Sequence, residues 1–426
     1  MANSINICWV RKDLRFIDNE ILLLLSREKI NTFFIWCPSK SDRRADRFRK
    51  SFLEECLRSF SLDLAAFGQR LFISPFGILE TLHRLGSKSK IEKLYFSHEC
   101  AFEERSEENR VVDFCQSKQI LVFASMQSTL MKPSDLPFEL SNMPFGFTSF
   151  RKQVESSFVM KSCQAPPKSL PPIEGNVPNF FSEVHSVKSS HPQIRGGERS
   201  ACERLHEFIW ESRALRSYKE TRNGLISWND SSKLSPWLSL GVISPRLIIS
   251  EVQKFEQEVE KNESTYWIFF ELLWRDYFKF FSLKHESRIF IDVALPNLRT
   301  FKSETSSGPM VEKFNLWKTA QTGDEFVDAN MTELNLTGWM SNRGRQNVAS
   351  FLIHTLGVSW VWGADYFERM LIDYDPDVNW GNWHYLSGQG SDPRSRVFDT
   401  QKQAQMYDPQ KEYRDFWLNK KRESDF

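Results

Sequence analysis

Five short apolar runs, at 5–10, 32–36, 71–74, 94–97 and 120–123, punctuate the first third of the chain, and each has the length and continuity of a buried strand. Between them the apolar residues change period. Phe48, Phe52, Leu53, Cys56, Leu57 and Phe60 recur at three and four spacing, as do Ile78, Leu79, Leu82 and Leu85, which puts each set on one face of a helix. Strand and helix in alternation predict a five-stranded parallel sheet, doubly wound, with helices on both faces. No GxGxxG follows the first strand, so the usual dinucleotide fingerprint is missing from this α/β domain, expected over residues 1–132.

The pattern breaks between residues 164 and 197, where Pro166, Pro167, Pro171, Pro172, Pro178 and Pro192 arrive with Ser and Lys and no sustained periodicity. A linker draped over the surface is the expectation, and the interdomain stretch is assigned to 133–197. Beyond it the periodicity is helical almost to the end, most plainly from Trp267 to Phe281 and over 348–356. That predicts an all-α domain over 198–418, followed by a short charged, solvated tail at 419–426.

At 426 residues the chain is too long for one core and fits two or three domains. Its 56 basic and 55 acidic residues leave a net charge of +1, which removes any global electrostatic case for nucleic acid or membrane; a charged surface must be local. Seven cysteines, odd in number, with no CxxC pair and no His cluster nearby, argue against a disulfide framework, a structural zinc or an iron–sulfur cluster, and no metal site is expected. No stretch of about 18 apolar residues occurs and no targeting segment is recognisable, so a soluble intracellular, cytoplasmic protein is expected.

Twelve of the 14 tryptophans lie at or beyond Trp210. A buried indole brings an N–H that needs a partner, so a Trp-dense segment beside charged residues points to a large planar ligand or to electron transfer more than to filled volume. In Asp230-Ser-Ser-Lys-Leu-Ser-Pro-Trp237, Pro236 suits the first position of a helix capped by Ser235, and such a terminus attracts phosphate; taken alone, an ordinary capped helix is the stronger reading. Asn342-Arg-Gly-Arg345 lies shortly before Asp373 and Asp375. Buried arginine and carboxylate beside a ring system can hold a charged flavin by a fixed field, whereas a lone pair would be a structural salt bridge. Glu271 and Arg275 are spaced to share one helical face within a run of Phe, Trp and Leu, which predicts a partly sheltered pair beside the stacking face of Trp274. Trp360, Trp362, Trp380 and Trp383 each read singly as core, and their clustering beside the acid pair adds a redox reading.

Seven segments carry a family resemblance. Trp9-Val-Arg-Lys-Asp-Leu-Arg-Phe-Ile-Asp-Asn19, Tyr218-Lys-Glu-Thr-Arg-Asn223, Ser232-Lys-Leu-Ser-Pro-Trp-Leu238, Trp274-Arg-Asp-Tyr-Phe278, Phe326-Val-Asp-Ala-Asn330, Met340-Ser-Asn-Arg-Gly-Arg-Gln346 and Asn379-Trp-Gly-Asn-Trp383 resemble, in order, the photolyase and cryptochrome family, over residues 5–418. Within that family the resemblance is to the DASH cryptochromes. Gln346 and Tyr385 stand where ordinary dimer photolyases carry Met and Trp, and Asp392-Pro-Arg394, Gln403-Ala and Tyr407-Asp-Pro409 follow the DASH pattern.

The resemblance implies FAD, held bent in the helical domain. By position Tyr218, Ser231, Ser232, Leu234 and Ser235 would wrap its phosphates and ribityl chain, with Arg275 also in the cofactor site. Arg345 and Asp373 would pair near the flavin, Asp375 would meet the isoalloxazine edge, and Asn379 would face N5. Glu271, Trp274, Asn342, Arg343, Gln346 and Tyr385 would line a cavity for a flipped pyrimidine dimer, with Arg222, Arg343 and Arg394 as candidate DNA contacts. The implied activity is blue-light-driven repair of cyclobutane pyrimidine dimers by an electron from excited reduced FAD. Single-stranded or looped DNA would be preferred, because flipping a base from a duplex costs on the order of a few kcal/mol. The protein would act as a monomer.

A blue-light photoreceptor that signals without repair is the alternative reading. The short C-terminus speaks against signalling through a long tail, while Glu271 and Asn342 speak for catalysis. Trp383 and Trp360 fit the inner places of an electron relay, whereas the outermost place reads Ser307, with Trp362 or Trp317 as substitutes. Asp324-Glu325 and Thr332 also depart from the family pattern. An antenna pigment in the N-terminal domain, a folate such as 5,10-methenyltetrahydrofolate, would contact Glu99 and Glu103.

Overall fold

The computed structural model describes residues 4–173, 178–184, 191–292, 308–390 and 396–424. Strands β1 (Ser4–Val10), β2 (Thr32–Trp36), β3 (Leu71–Ile73), β4 (Lys90–Ser97) and β5 (Leu121–Ser125) form one parallel sheet in the order β3-β2-β1-β4-β5. Period-two alternation sorts its side chains. Ile7, Trp9, Phe33, Ile35, Leu94 and Phe96 pack with Leu82, Leu85, Val111 and Cys115 on one face. Cys8, Val10, Phe34 and Tyr95 join, on the other, the core that continues into the helical domain.

β4 begins at Lys90 rather than at 94. Its first residues are partly exposed and hold strand geometry by pairing with β1, Ser4 opposite Lys90 and Asn6 opposite Lys93, which apolar continuity could not reveal.

The segment after β1 locks the two domains together. Arg246 Nε meets Asp18 Oδ2 at 2.8 Å with both side chains buried, and Arg15 Nη1 donates to Gly241 O at 2.9 Å. Gly241 has φ +61°, and a Cβ there would lie 1.9 Å from Lys12 O, so the contact requires glycine.

The stretch 133–197 is not linker throughout. It contains the helix Phe147–Ser157, whose buried Phe147, Phe150 and Val154 pack on the helix Glu263–His285; three aromatic or aliphatic positions in one short helix were too few to show against the surrounding Pro and Ser. Farther on, the chain runs along the sheet edge, with Ser182 bridging Ile73 and Thr32 N donating to Pro172 O at 3.2 Å. At the other end, the expected tail is helical: Glu412–Ser424 continues through 419, and Lys421 Nζ donates to Ala320 O at 2.7 Å. All seven cysteines are free, five of them buried. No helix among the described residues is long and apolar enough to cross a membrane.

Candidate functional site

A cavity of about 90 Å³, open to solvent, lies in the helical domain, lined by Arg345, Gln346, Asp373, Asp375, Asn379 and Trp383 among others. Two helix starts build it. Ser341 caps Asn342–Ser350 by accepting from Gly344 N at 3.0 Å, and a Cβ on Gly344 would sit 2.0 Å from Asn330 Oδ1, so that helix rests directly on Glu325–Thr337. Asp375 caps Pro376–Leu386, accepting from Asp377 N at 3.2 Å, with Pro376 opening the helix. These caps fix where Asn342 and Gln346 on one side, and Asn379 and Trp383 on the other, enter the cavity.

Charge inside the cavity is arranged in two groups. Arg345 Nη2 holds both oxygens of Asp373, at 3.0 and 2.8 Å, and its Nε donates to Met340 O at 2.9 Å. Asp375 accepts from Arg275 Nη2 at 3.3 Å and pairs with Lys279 Nζ at 3.0 Å, which also meets Asp377 at 3.0 Å. Burial opposes the Asp375 charge, yet Lys279 and Arg275 hold its carboxyl well below the ordinary value. Burial likewise opposes the Lys279 ammonium, which the two aspartates hold above its ordinary value. Lys279 escaped the sequence reading because it stands among Phe, Tyr and Leu; a single Lys flanked by Phe278 and Phe280 was the available signal.

The Glu271–Arg275 pair is not formed. The two side chains find better partners outside their helix: Arg275 goes to Asp375, Ser128 O and Leu238 O, and Glu271 Oε1 accepts from Arg222 Nη1 at 2.9 Å and Trp267 Nε1 at 3.1 Å. Glu271 Oε2 has no protein partner among the described residues. Burial raises the Glu271 carboxyl above its ordinary value, against the pull of Arg222 and Trp267. Nearby, Trp274 stacks one face on Phe147 with centroids 3.6 Å apart, and its edge meets Tyr385 at 5.7 Å. Phe147 was missed because it lies in the presumed linker.

Of the proposed DNA contacts, Arg222 is thus committed to Glu271. Arg343 Nη2 donates to Asn223 Oδ1 at 3.0 Å, and its guanidinium lies 4.9 Å from the Tyr407 ring. Arg394, Asp392 and Ser307 lie outside the described residues.

The 228–235 loop is pinned from behind by Arg204, which donates to Ser232 O at 2.9 Å and Ser231 O at 3.0 Å. The short helix starts at Ser235 with helical Leu234 in the cap place and no side-chain cap bond, so Ser235 is not the cap. The hydroxyls of Ser231, Ser232 and Ser235 bond no protein group among the described residues, and Tyr218 and Leu234 are buried beside them in the domain core.

Trp383 is buried on the cavity wall, where a Cβ on Gly363 would lie 2.2 Å from its ring; only glycine leaves the indole its place. Its ring neighbours are Phe367 at 5.1 Å and Trp317 at 6.2 Å, and Trp317 in turn meets the half-buried Tyr366 at 5.7 Å. Trp360 is also buried, but against Trp380 at 6.0 Å and His384 at 5.5 Å. Trp362 reaches Trp317 through Phe314. The two antenna candidates separate: Glu99 is buried 4.0 Å from Lys12, whereas exposed Glu103 lines a surface pocket with Lys40 and Arg110.

An α/β domain is thus docked on a helical domain whose cavity brings paired charges beside a buried tryptophan cluster. Residues 6–172 match the family described as DNA photolyase, and residues 267–425 match the FAD binding domain of DNA photolyase. Cryptochrome DASH of Synechocystis sp. (strain ATCC 27184 / PCC 6803 / Kazusa) is 38% identical over 427 residues, covering 96% of this chain and 86% of the relative. Cryptochrome DASH of Danio rerio is 38% identical over 442 residues, covering 98% and 83%. The crystal structure of a Synechocystis sp. PCC6803 cryptochrome superposes with a TM-score of 0.86 at 37% identity, over 98% of this chain and 89% of that one. A class III photolyase from Agrobacterium tumefaciens shares the fold, with a TM-score of 0.84 at 23% identity over 98% and 87%. The chain belongs to the photolyase and cryptochrome family, among the DASH cryptochromes.

The residues present fit the FAD that this domain implies. The cavity supplies a fixed cation beside fixed anions for a polar ring system, and three unengaged hydroxyls stand on a braced loop for a phosphate chain.

Proposed function

We propose that this protein repairs cyclobutane pyrimidine dimers in DNA under blue light. The observation that carries the reading is Glu271, a carboxyl oriented by Arg222 and Trp267 and left with one oxygen free, one helical turn before Trp274. When bound, reduced FAD would supply the photoexcited electron for opening the two cyclobutane C–C bonds and would recover it, so the conversion is redox-neutral. Arg345 with Asp373, Asp375 with Arg275, and Asn379 would hold and orient its ring system; Tyr218, Ser231, Ser232, Leu234 and Ser235 would hold its phosphate and ribityl part.

Glu271 offers its free oxygen for a hydrogen bond with the dimer's base and steadies the added charge there. Trp274, braced from behind by Phe147, gives the flipped bases a stacking surface, with Tyr385 at its edge. Asn342 and Gln346 line the cavity of the helical domain. Arg343 and, beyond the described residues, Arg394 stay as candidates at the rim for phosphate. Single-stranded or looped substrate is the preferred form in this reading, because flipping bases out of a duplex costs on the order of a few kcal/mol.

Glu271→Ala tests the reading. Repair per absorbed photon falls at least about tenfold, the loss expected for an acid–base or hydrogen-bonding group that acts in the reacting state, while affinity for dimer-containing strands changes less. The reverse pattern would make Glu271 a docking residue and remove the basis of the proposal. The relatives' name, cryptochrome, favours a light-receptor reading instead; unchanged repair-free photochemistry in wild type and variant alike would support it.

A further inference from the structure

Two adjacent rings in the helical domain each hold a buried nitrogen without a partner. Trp360, 2% exposed, opens the helix Trp360–Met370, and its Nε1 makes no hydrogen bond among the described residues. His384 follows Trp383 on the helix Pro376–Leu386; its side chain is half-buried, and its Nδ1 is buried and equally without a partner. Buried polar atoms are nearly always paired. Other indoles of the domain follow that rule: Trp237 donates to Arg195 O at 2.8 Å, Trp317 to Val348 O at 2.9 Å and Trp380 to Tyr374 Oη at 3.2 Å. The rings of Trp360 and His384 lie with centroids 5.5 Å and planes 52° apart. An indole N–H only donates, whereas a neutral imidazole carries one nitrogen that accepts. The two groups are complementary, and a turn of the imidazole, or one bridging water, is enough to join them.

The surroundings of His384 keep it neutral. Burial lowers its imidazole to about 4, with His285 adding to the shift and Asp292 opposing it. His285, at the end of the helix Glu263–His285, is itself held below its ordinary value by burial, Lys284 and Arg288. Phe281 packs against both imidazoles, with centroids 4.1 Å from His285 and 6.3 Å from His384. At neutral pH His384 therefore presents a base, and not a cation, to the indole.

We propose that His384 is the proton acceptor for Trp360 when that indole is oxidised during photoreduction of the flavin. Trp360 gives one electron, by way of Trp383, to the excited oxidised flavin. Its Nε1–H bond then breaks, the proton passes to His384 Nδ1, and the pair is left as a neutral indolyl radical beside an imidazolium. The step moves positive charge from a fully buried ring to a half-buried one, where water reaches it. It also holds the electron on the flavin, because return to Trp360 then requires the proton to come back as well. The proposal rests on Trp360 as an electron donor and is independent of whether the protein repairs DNA.

Transient absorption and dark-state NMR of the full-length, FAD-loaded protein test it. In the wild type the indole radical should appear in its neutral form, more slowly in heavy water, and Trp360→Phe should remove it. In His384→Phe the radical should stay a cation, and the charge-separated state should be at least about tenfold shorter-lived, in keeping with the loss of a proton acceptor. His384→Gln keeps a hydrogen-bonding group without a base. It should behave like His384→Phe in the light, yet leave the Trp360 indole N–H resonance near its wild-type position in the dark, where His384→Phe shifts it. A radical cation in the wild type, a neutral radical that persists in Trp360→Phe, or a neutral radical of unchanged lifetime in both His384 variants overturns the proposal.

Discussion

Replacing Asp373 by Ala strands the Arg345 guanidinium in the wall of the flavin cavity. Asp373 is 6% exposed, and its oxygens lie 3.0 and 2.8 Å from Arg345 Nη2. Removing one partner of a fully buried pair costs about 3–5 kcal/mol. Here the arginine side chain is 25% exposed, so water reaches part of the stranded charge and the expected loss falls to about 2–3 kcal/mol. At 1.4 kcal/mol per factor of ten, that is roughly 30- to 150-fold in FAD affinity if the loss falls on the bound state. Asp373→Asn keeps the volume and one acceptor and should lose less, about 1–2 kcal/mol. The assay is bound flavin per chain after gel filtration, followed by FAD titration of the stripped protein and a thermal melt of each form. Full flavin occupancy, unchanged redox behaviour and an unchanged melt in Asp373→Ala would refute the claim that this pair organises the site.

Lys279→Met leaves Asp375 and Asp377 facing each other without their shared cation; with all three side chains at least nine-tenths buried, the loss should be about 3–5 kcal/mol, read from denaturant unfolding. For Asp375, whose folded value is depressed, the stabilisation is present above the unfolded carboxylate value, about 3.9, and is lost as pH falls toward the folded value, whereas Asp377, raised by burial, contributes in the opposite sense. The variant should lose that acid-dependent component, and an unaltered acid limb would contradict it. For flavin photoreduction, Trp383→Phe should remove most of the yield, and Trp317→Phe should lower it at least as much as Trp360→Phe, because Trp317 is in ring contact with Trp383 and leads on to Tyr366. Transient absorption with an external donor decides between them, and a yield that depends on Trp360 but not on Trp317 would reject the Trp317 branch.

The sheet and the helical domain were legible because buried strands and helices write their periods into the sequence. What was not legible depended on partners far along the chain. Lys90 to Lys93 become strand only through pairing with β1, and Phe147 acquires its role only against Trp274. The candidate site divides in the same way. Arg345 with Asp373, and the place of Trp383 on the cavity wall, followed from motif and resemblance. The pairing of Glu271 did not, because spacing of four residues puts two side chains on one helical face without deciding whether another element offers either a better partner, as Arg222 and Asp375 do. Ring contacts around Trp360 were equally beyond the sequence, since they depend on the crossing of the helices Trp360–Met370 and Pro376–Leu386.

The central claim is light-driven repair, and it is tested most directly by incubating the FAD-reduced protein with a single strand and with the matching duplex, each carrying one cyclobutane thymine dimer, in blue light and in the dark. The account predicts restored thymines in the illuminated single strand, none in the dark, and much slower repair of the duplex. Intact dimers in the illuminated single strand, with flavin fully reduced and the strand bound, would contradict it.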